Sequence, residues 1–281
     1  MTIVTELLNK GSKKLKSKKI NSYLLDSEVF LSKILNKTRE EILVSESIKV
    51  SKNDVLNFNK MIDKRQFNEP VAYILKEKEF WNKKFFVNSS TLIPRPETEL
   101  LIEKIINIFK NKSKIFILDI GTGTGCIILT LVDEIKQSRG IAIDISNKAI
   151  RVAKENAKKF QLEKKVKFQS RSLDQVYGHK FDLIVSNPPY ICSHQIKNLS
   201  QDVKKYEPRI ALDGGKDGLD VIKKVIYKSK NILKKKGILA LEIGNGQYKS
   251  VSQILSLQGF KENFIIKDYR NNIRCILTSL N

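Results

Sequence analysis

Histidine and cysteine are scarce in this chain, and each shortage closes a route to function. Only His179 and His194 occur in 281 residues. That is too few for a His-rich metal centre, and both sit among polar neighbours, as loop residues do. The three cysteines, Cys126, Cys192 and Cys275, are far apart and have no metal-binding spacing. An odd, sparse set excludes a disulfide framework and fits a reducing compartment. Each cysteine reads as a packing residue, and no metal site is expected. Long apolar runs are missing too, since stretches such as 115–120 are strand-sized, far short of the roughly 20 residues of a membrane span. Residues 1–20 carry lysines throughout, with no apolar segment of signal-peptide length. A cytoplasmic protein without membrane association is expected, and a monomer.

What abounds is positive charge, a formal net +22. A basic surface attracts phosphate backbones. The lysines, however, are spread over every segment, from Lys13-Lys14 through Lys158-Lys159 to Lys234, Lys235 and Lys236. Aromatic residues interleaved for base stacking are missing. A general preference for lysine is therefore favoured over a basic face for an RNA-rich assembly, and no direct nucleic-acid substrate is expected.

Residues 1–75 read as a small helical domain, assigned to substrate recognition. Leu24, Leu25, Val29, Leu31, Ile34 and Leu35 recur at near-helical spacing, with Asp26-Ser27 as the entry. Ser51 and Asp54 mark a second helix start, followed by Val55, Phe58, Met61 and Ile62 on one face. Residues 76–91 form a linking β-hairpin: Glu79-Phe80-Trp81 and Phe85-Phe86-Val87 flank a polar turn at Asn82-Lys83-Lys84. Pro94 and Pro96 keep Arg95 out of helix, and a helix begins near Glu97. The remaining domain, 92–281, alternates strand and helix. Strands are expected at 115–120, 141–144, 166–169, 183–186, 238–243, 263–266 and 273–277, and helices at 126–137, 147–160, 219–235 and 247–257. The fold class is α/β, with a mainly parallel sheet covered on both faces.

Three motifs carry chemistry. Asp119-Ile120-Gly121-Thr122-Gly123-Thr124-Gly125 follows a strand and opens a helix. Its glycines permit a tight turn and close approach of a ligand to the backbone. The Gly-x-Gly-x-Gly spacing differs from the Gly-x-Gly-x-x-Gly of pyrophosphate binders, which favours a smaller nucleoside without phosphate. Asp144 ends the next strand, where a carboxylate accepts hydrogen bonds from ribose hydroxyls. Such an Asp also serves as a helix cap.

The third motif is Asn187-Pro188-Pro189-Tyr190, after the strand at 183–186. Two prolines stop the strand and hold Asn187 at its carboxyl end, where open sheets bind ligands. The Asn187 side-chain oxygen and the Pro188 carbonyl can accept hydrogen bonds from an NH2 group whose lone pair is conjugated. They would thereby aim that lone pair at a sulfonium methyl. Tyr190 can pack beside the planar substrate. The motif suits methyl transfer to an amide or an amine alike, and does not choose between glutamine and adenine.

Together these residues resemble class I methyltransferases acting on nitrogen. Over nearly its whole length the chain resembles the HemK/PrmC family of release factor glutamine methyltransferases. The resemblance is carried by Leu92-Ile93-Pro94-Arg95-Pro96-Glu97-Thr98-Glu99, with Pro70-Val71-Ala72-Tyr73-Ile74, Glu207-Pro208-Arg209-Ile210-Ala211-Leu212 and Leu241-Glu242-Ile243-Gly244 in support. It implies a seven-stranded sheet with an antiparallel last strand, and S-adenosylmethionine as methyl donor. It also implies class I peptide chain release factors as protein substrates, methylated on the glutamine of their Gly-Gly-Gln motif. By motif, Gly121, Thr122, Gly123, Thr124, Gly125 and Asp144 hold the donor, and Asn187 serves donor and substrate. Pro188, Pro189 and Tyr190 shape the glutamine pocket, so Asn187, Pro188 and Tyr190 are the catalytic candidates. Where some relatives place an acidic residue and an aromatic near the adenine, this chain has Arg171-Ser172-Leu173; Ser172 is the candidate there. Arg95 with Glu97, and Glu207 with Arg209, read either as structural ion pairs or as substrate contacts, the second pair favoured as a wall of the site.

Rival readings are glutamine methylation of a ribosomal protein, adenine-N6 methylation of nucleic acid, and a non-catalytic nucleotide-binding module. Intact Asn187 and Asp144 argue against the last. The adenine reading would need a basic recognition module, which is not evident.

Overall fold

A computed structural model describes residues 2–44, 48–112 and 114–280. They fall into two compact units, one reaching to Lys76 and including Gln201–Tyr206, the other comprising Glu77–Ser200 and the chain from Glu207 onward.

The first unit contains β1 (Thr2–Ile3), α1 (Val4–Ser17), α2 (Tyr23–Leu35), α3 (Arg39–Val44), β2 (Lys49–Val50), α4 (Lys52–Arg65) and α5 (Val71–Leu75). Phe30, Phe58, Leu7, Leu15 and Ile62 meet in its core. Ser51 caps α4 by accepting the Asp54 N–H at 3.1 Å, as its spacing predicts. The entry of α2 differs from expectation. The helix starts after Ser22, and Asp26 lies inside it, where Arg65 Nε donates to its Oδ2 at 2.6 Å. Asp26 is thus placed by a buried ion pair with α4, not by capping.

The second unit opens with a hairpin of β3 (Glu77–Phe80) and β4 (Lys83–Phe86). Its turn is Trp81-Asn82, both left-handed at φ 49 and 57, the two-residue geometry that matches strand twist. Lys83 and Lys84, expected in the turn, belong to β4 instead. Helix α6 (Pro96–Phe109) has Pro96 in its first turn and Arg95, extended at φ −99 and ψ 142, before it. Proline is tolerated there because that N–H has no helical partner.

Seven strands follow: β5 (Phe116–Ile120), β6 (Arg139–Asp144), β7 (Val166–Ser170), β8 (Phe181–Ser186), β9 (Leu233–Glu242), β10 (Phe260–Lys267) and β11 (Ile273–Leu280). They form one sheet in the order β10-β11-β9-β8-β5-β6-β7, in which β11 runs antiparallel to the other six. Helices α7 (Cys126–Glu134), α8 (Asn147–Lys159), α9 (Gln201–Tyr206), α10 (Asp220–Ile232) and α11 (Tyr248–Leu257) complete the chain, α9 belonging to the first unit.

Alternation along the strands divides the core. Ile117, Leu183, Val185 and Ala240 pack with residues of α6 and α7 on one face, while Leu118, Ile184, Leu239 and Leu241 pack with residues of α10 and α11 on the other. The expected helix at 219–235 stops at Ile232. Leu233, buried and in register with Phe181, begins β9 instead. Strand order reverses between β5 and β8, so the segments that leave their paired carboxyl ends run to opposite sides, at the position where open sheets hold ligands. No helix among the described residues is long and apolar enough to cross a membrane.

Candidate active site

The turn after β5 passes through Gly121, Gly123 and Gly125 at φ 73, 54 and 80. This is left-handed backbone that side chains rarely adopt. A Cβ at Gly121 or Gly123 would meet nothing within 4 Å. Conformation demands glycine at both, and the space over the turn is open to a ligand. At Gly125 a Cβ would lie 3.1 Å from Leu129 and 3.3 Å from Ala153, so helix packing adds a second reason.

Asp144 braces this turn from the neighbouring strand. Its Oδ2 accepts the Gly123 N–H at 3.0 Å and its Oδ1 the Ser146 N–H at 2.9 Å. The cap of α8 is Ser146, whose Oγ accepts the Ala149 N–H, so Asp144 is not spent as the helix cap. Burial raises its pKa, against the pull of the two N–H donors. Below the turn, Asp119 is fully buried and accepts from Thr122 Oγ1 at 2.7 Å. Its carboxyl is pushed up to about 7 by burial, opposed by the Thr122 hydroxyl and reinforced by the charge of Asp144.

On the other side of the switch point β8 ends in Ser186, whose hydroxyl donates to the Ile120 carbonyl at 2.8 Å and locks the two strand ends together. Asn187 follows directly. Its Nδ2 donates to Thr98 Oγ1 at 3.3 Å, and Thr98 Oγ1 donates to Glu242 Oε2 at 2.6 Å. The Tyr190 hydroxyl donates to Glu242 Oε1 at 3.4 Å and accepts from Arg274 Nη2 at 3.2 Å. The Arg274 guanidinium also lies 5.6 Å from the centre of the Tyr190 ring. Burial raises the pKa of Glu242, while the Thr98 hydroxyl and the Arg274 charge draw it down. Burial, with the Glu242 charge, pushes the Tyr190 phenol up to about 12, so it stays protonated.

A cavity of about 330 Å³ joins the two sides. Gly121, Thr122, Gly123, Thr124, Asp144, Ser172, Asn187 and Pro189 line it, so eight of the residues expected from sequence converge on one space. Gly125, Pro188 and Tyr190 do not line it; Pro188 is buried, and the Tyr190 ring packs against the core face served by α10. The lining suits a nucleoside donor. It offers an open glycine turn for backbone approach, a carboxylate for hydroxyls, and apolar walls from Ile127, Ile145, Leu173 and Val225.

Of the ion pairs left open by the sequence, Arg95 is joined to Glu207 at 2.6 Å, and Glu207 also accepts the Ile93 N–H. Arg209 pairs with Asp213 instead. Arg95, Pro208, Ile210 and Ala211 border the cavity, whereas Glu207 and Arg209 do not line it, so the wall is built by the residues beside them. Thr98 and Glu242 stand in segments that carry the resemblance but receive no site role from the sequence, and Arg274 is not singled out by it at all. Cys126, partly buried, borders the cavity as well, and its surroundings push its thiol up to about 12, chiefly through burial.

Two family models match the chain: the PrmC N-terminal domain over residues 6–75 and the methyltransferase small domain over residues 96–205. Proteins named release factor glutamine methyltransferase from Clostridium acetobutylicum and Clostridium botulinum are 36% and 39% identical over 277 residues. Those alignments span 98% of this chain and 97% and 98% of the relatives. Among solved structures, a ribosomal protein L11 methylase from Lactobacillus delbrueckii subsp. bulgaricus aligns with a TM-score of 0.51 at 21% identity, over 67% of this chain and 80% of that one. A methyltransferase from Pyrococcus furiosus gives 0.53 at 15%, over 72% and 91%. These two establish the fold alone. Identity sustained over nearly the full length of both Clostridium proteins establishes more: the chain belongs to the release factor glutamine methyltransferase family and is an S-adenosylmethionine-dependent methyltransferase.

Proposed function

We propose that this enzyme methylates the side-chain amide nitrogen, N5, of the glutamine in the Gly-Gly-Gln motif of class I peptide chain release factors. The observation that carries the chemistry is the position of Asn187 on the wall of the same cavity as the glycine turn and Asp144. The choice of protein substrate rests on kinship with relatives so named.

Bound S-adenosylmethionine supplies an electrophilic methyl group on a sulfonium. Gly121, Thr122, Gly123 and Thr124 would offer backbone to it, Asp144 would accept from its ribose hydroxyls, and Ser172 would border its base, while Gly125 shapes the turn. An amide nitrogen is a poor nucleophile because its lone pair is delocalised. Asn187 Oδ1 and the Pro188 carbonyl accept its two N–H groups, turning the lone pair out of conjugation. Positive charge grows on that nitrogen during attack, so these acceptors are worth more in the transition state than before it. Pro188 and Pro189 hold the acceptors rigid, and Tyr190, its ring packed on the core and its hydroxyl tied to Glu242, fixes the end of the segment. The proton leaves after transfer, so no strong base is required. The helical unit built from residues 1–75 recognises the protein substrate.

The test is transfer of a labelled methyl group to a release factor, to its Gln→Ala variant at the Gly-Gly-Gln site, to ribosomal proteins and to nucleic acid. Label on the release factor that disappears in the variant is expected. Label on ribosomal protein or nucleic acid in its place would overturn the proposal.

A further inference from the structure

Asparagine is symmetric in shape but not in function: one end of its amide donates and the other accepts. For the chemistry above, the oxygen must face the cleft, and the Asn-Pro-Pro-Tyr segment alone does not ensure that. The surrounding hydrogen bonds do. Arg274 Nη2, which can only donate, lies 3.2 Å from the Tyr190 hydroxyl, so that hydroxyl gives its single proton to Glu242 Oε1. The other carboxylate oxygen, Oε2, takes the proton of Thr98 at 2.6 Å. Having given it away, the Thr98 oxygen meets Asn187 only as an acceptor, at 3.3 Å. The NH2 end of Asn187 is therefore drawn inward and its Oδ1 is left to the cavity. Reversing the amide would set two lone-pair-bearing oxygens against each other in a buried site, where an unmade hydrogen bond is costly. Thr98 and Glu242 are both buried, at 2% and 0% exposure, and Thr98 also borders the cavity, so the chain of bonds ends at the cavity wall.

We infer that Thr98 and Glu242 are positioning residues for methyl transfer, one buried carboxylate fixing through Thr98 which end of the Asn187 amide meets the substrate. The same carboxylate anchors Tyr190, so both ends of the Asn-Pro-Pro-Tyr segment hang from its two oxygens. This deepens the proposed function and rests on it.

The test compares Thr98→Val, which keeps shape and removes the hydroxyl, with Thr98→Ser, which keeps the hydroxyl. For Thr98→Val, kcat on the release factor should fall about 10-fold or more, the scale of a misplaced catalytic group, with donor Kd by calorimetry within about 2-fold. Thr98→Ser should stay within about 3-fold of wild type in kcat. A kcat for Thr98→Val above half the wild-type value, or equal losses in both variants, would overturn the inference. A second readout needs neither activity nor a variant. In the wild-type protein, NMR cross-peaks should connect the Asn187 side-chain NH2 protons to the Thr98 methyl group, and their absence would overturn it equally. If wild-type enzyme labels no release factor, the proposed function fails, while the NMR readout still decides the orientation of Asn187.

Discussion

Asp144 Oδ2 accepts the backbone N–H of Gly123 at 3.0 Å, so the carboxylate at the end of β6 holds the glycine turn at the end of β5. Asn187 stands across the same cavity and touches neither residue through any hydrogen bond among the described residues. The proposed roles therefore differ: Asp144 serves the donor, while Asn187, which also borders the donor cavity, serves the transfer.

Replacing each group should show that difference. Asp144→Ala removes a carboxylate from the donor side and frees the Gly123 N–H, so donor Kd should rise about 10-fold, the worth of one to two hydrogen bonds. Asn187→Ala should leave donor Kd within a few-fold but lower kcat by at least about 10², the scale of losing a group that acts in the transition state. Calorimetry with the donor and turnover on a release factor measure the two effects. Near-normal turnover in Asn187→Ala would remove that residue from the mechanism.

Arg95 and Glu207 form a lever on the wall of the cavity rather than on the chemistry. The Glu207 side chain is 1% exposed and Arg95 31%, at 2.6 Å. Arg95→Ala takes away the cation while Glu207 still accepts the Ile93 N–H. Breaking a fully buried pair costs about 3–5 kcal/mol. The partial exposure of Arg95 screens the pair, so a loss of about 1–3 kcal/mol is expected. Glu207→Gln should cost less, because its amide oxygen can keep the Ile93 bond. Urea unfolding of the two variants gives the order, and a larger loss in Glu207→Gln would show that the carboxylate serves another partner first.

The parts of the site legible in sequence share a physical character. Gly121 to Gly125, Asp144 and Asn187 are each set by a local rule: left-handed backbone, a strand end, or a proline-locked exit. Short motifs record such rules. Thr98 and Glu242 obey none of them. Their bond closes a separation of 144 residues, and Thr98 reaches Asn187 across 89, distances at which only the fold creates a neighbour. The fold itself was readable from alternating apolar segments, because each strand face meets its own helix layer. Boundaries were less so: the three lysines at 234–236 look like a solvated helix end, yet Leu233 pairs with Phe181 and pulls them into β9. Tyr190 could be named but not aimed, since its ring direction depends on Arg274 and Glu242.

Asp119 provides a measurement that depends on pH alone. It is fully buried beneath the glycine turn, Oδ2 bonded to Thr122 and Oδ1 without a hydrogen-bond partner among the described residues. Its carboxyl shifts from 3.8 to about 7, chiefly through burial. The folded chain therefore holds this proton more tightly than the unfolded chain does. Stability from this group is fully present below 3.8 and is lost as pH rises through about 7. A shift of this size corresponds to about 4 kcal/mol. Asp119→Asn keeps the shape and does not titrate. The stability of the variant relative to wild type should therefore increase from pH 5 to about pH 7 and then level off, a gain of about 3 kcal/mol over that range because part of the effect is already spent below pH 5, in urea unfolding without added donor. A difference that stays constant across this range would mean that Asp119 keeps one protonation state throughout.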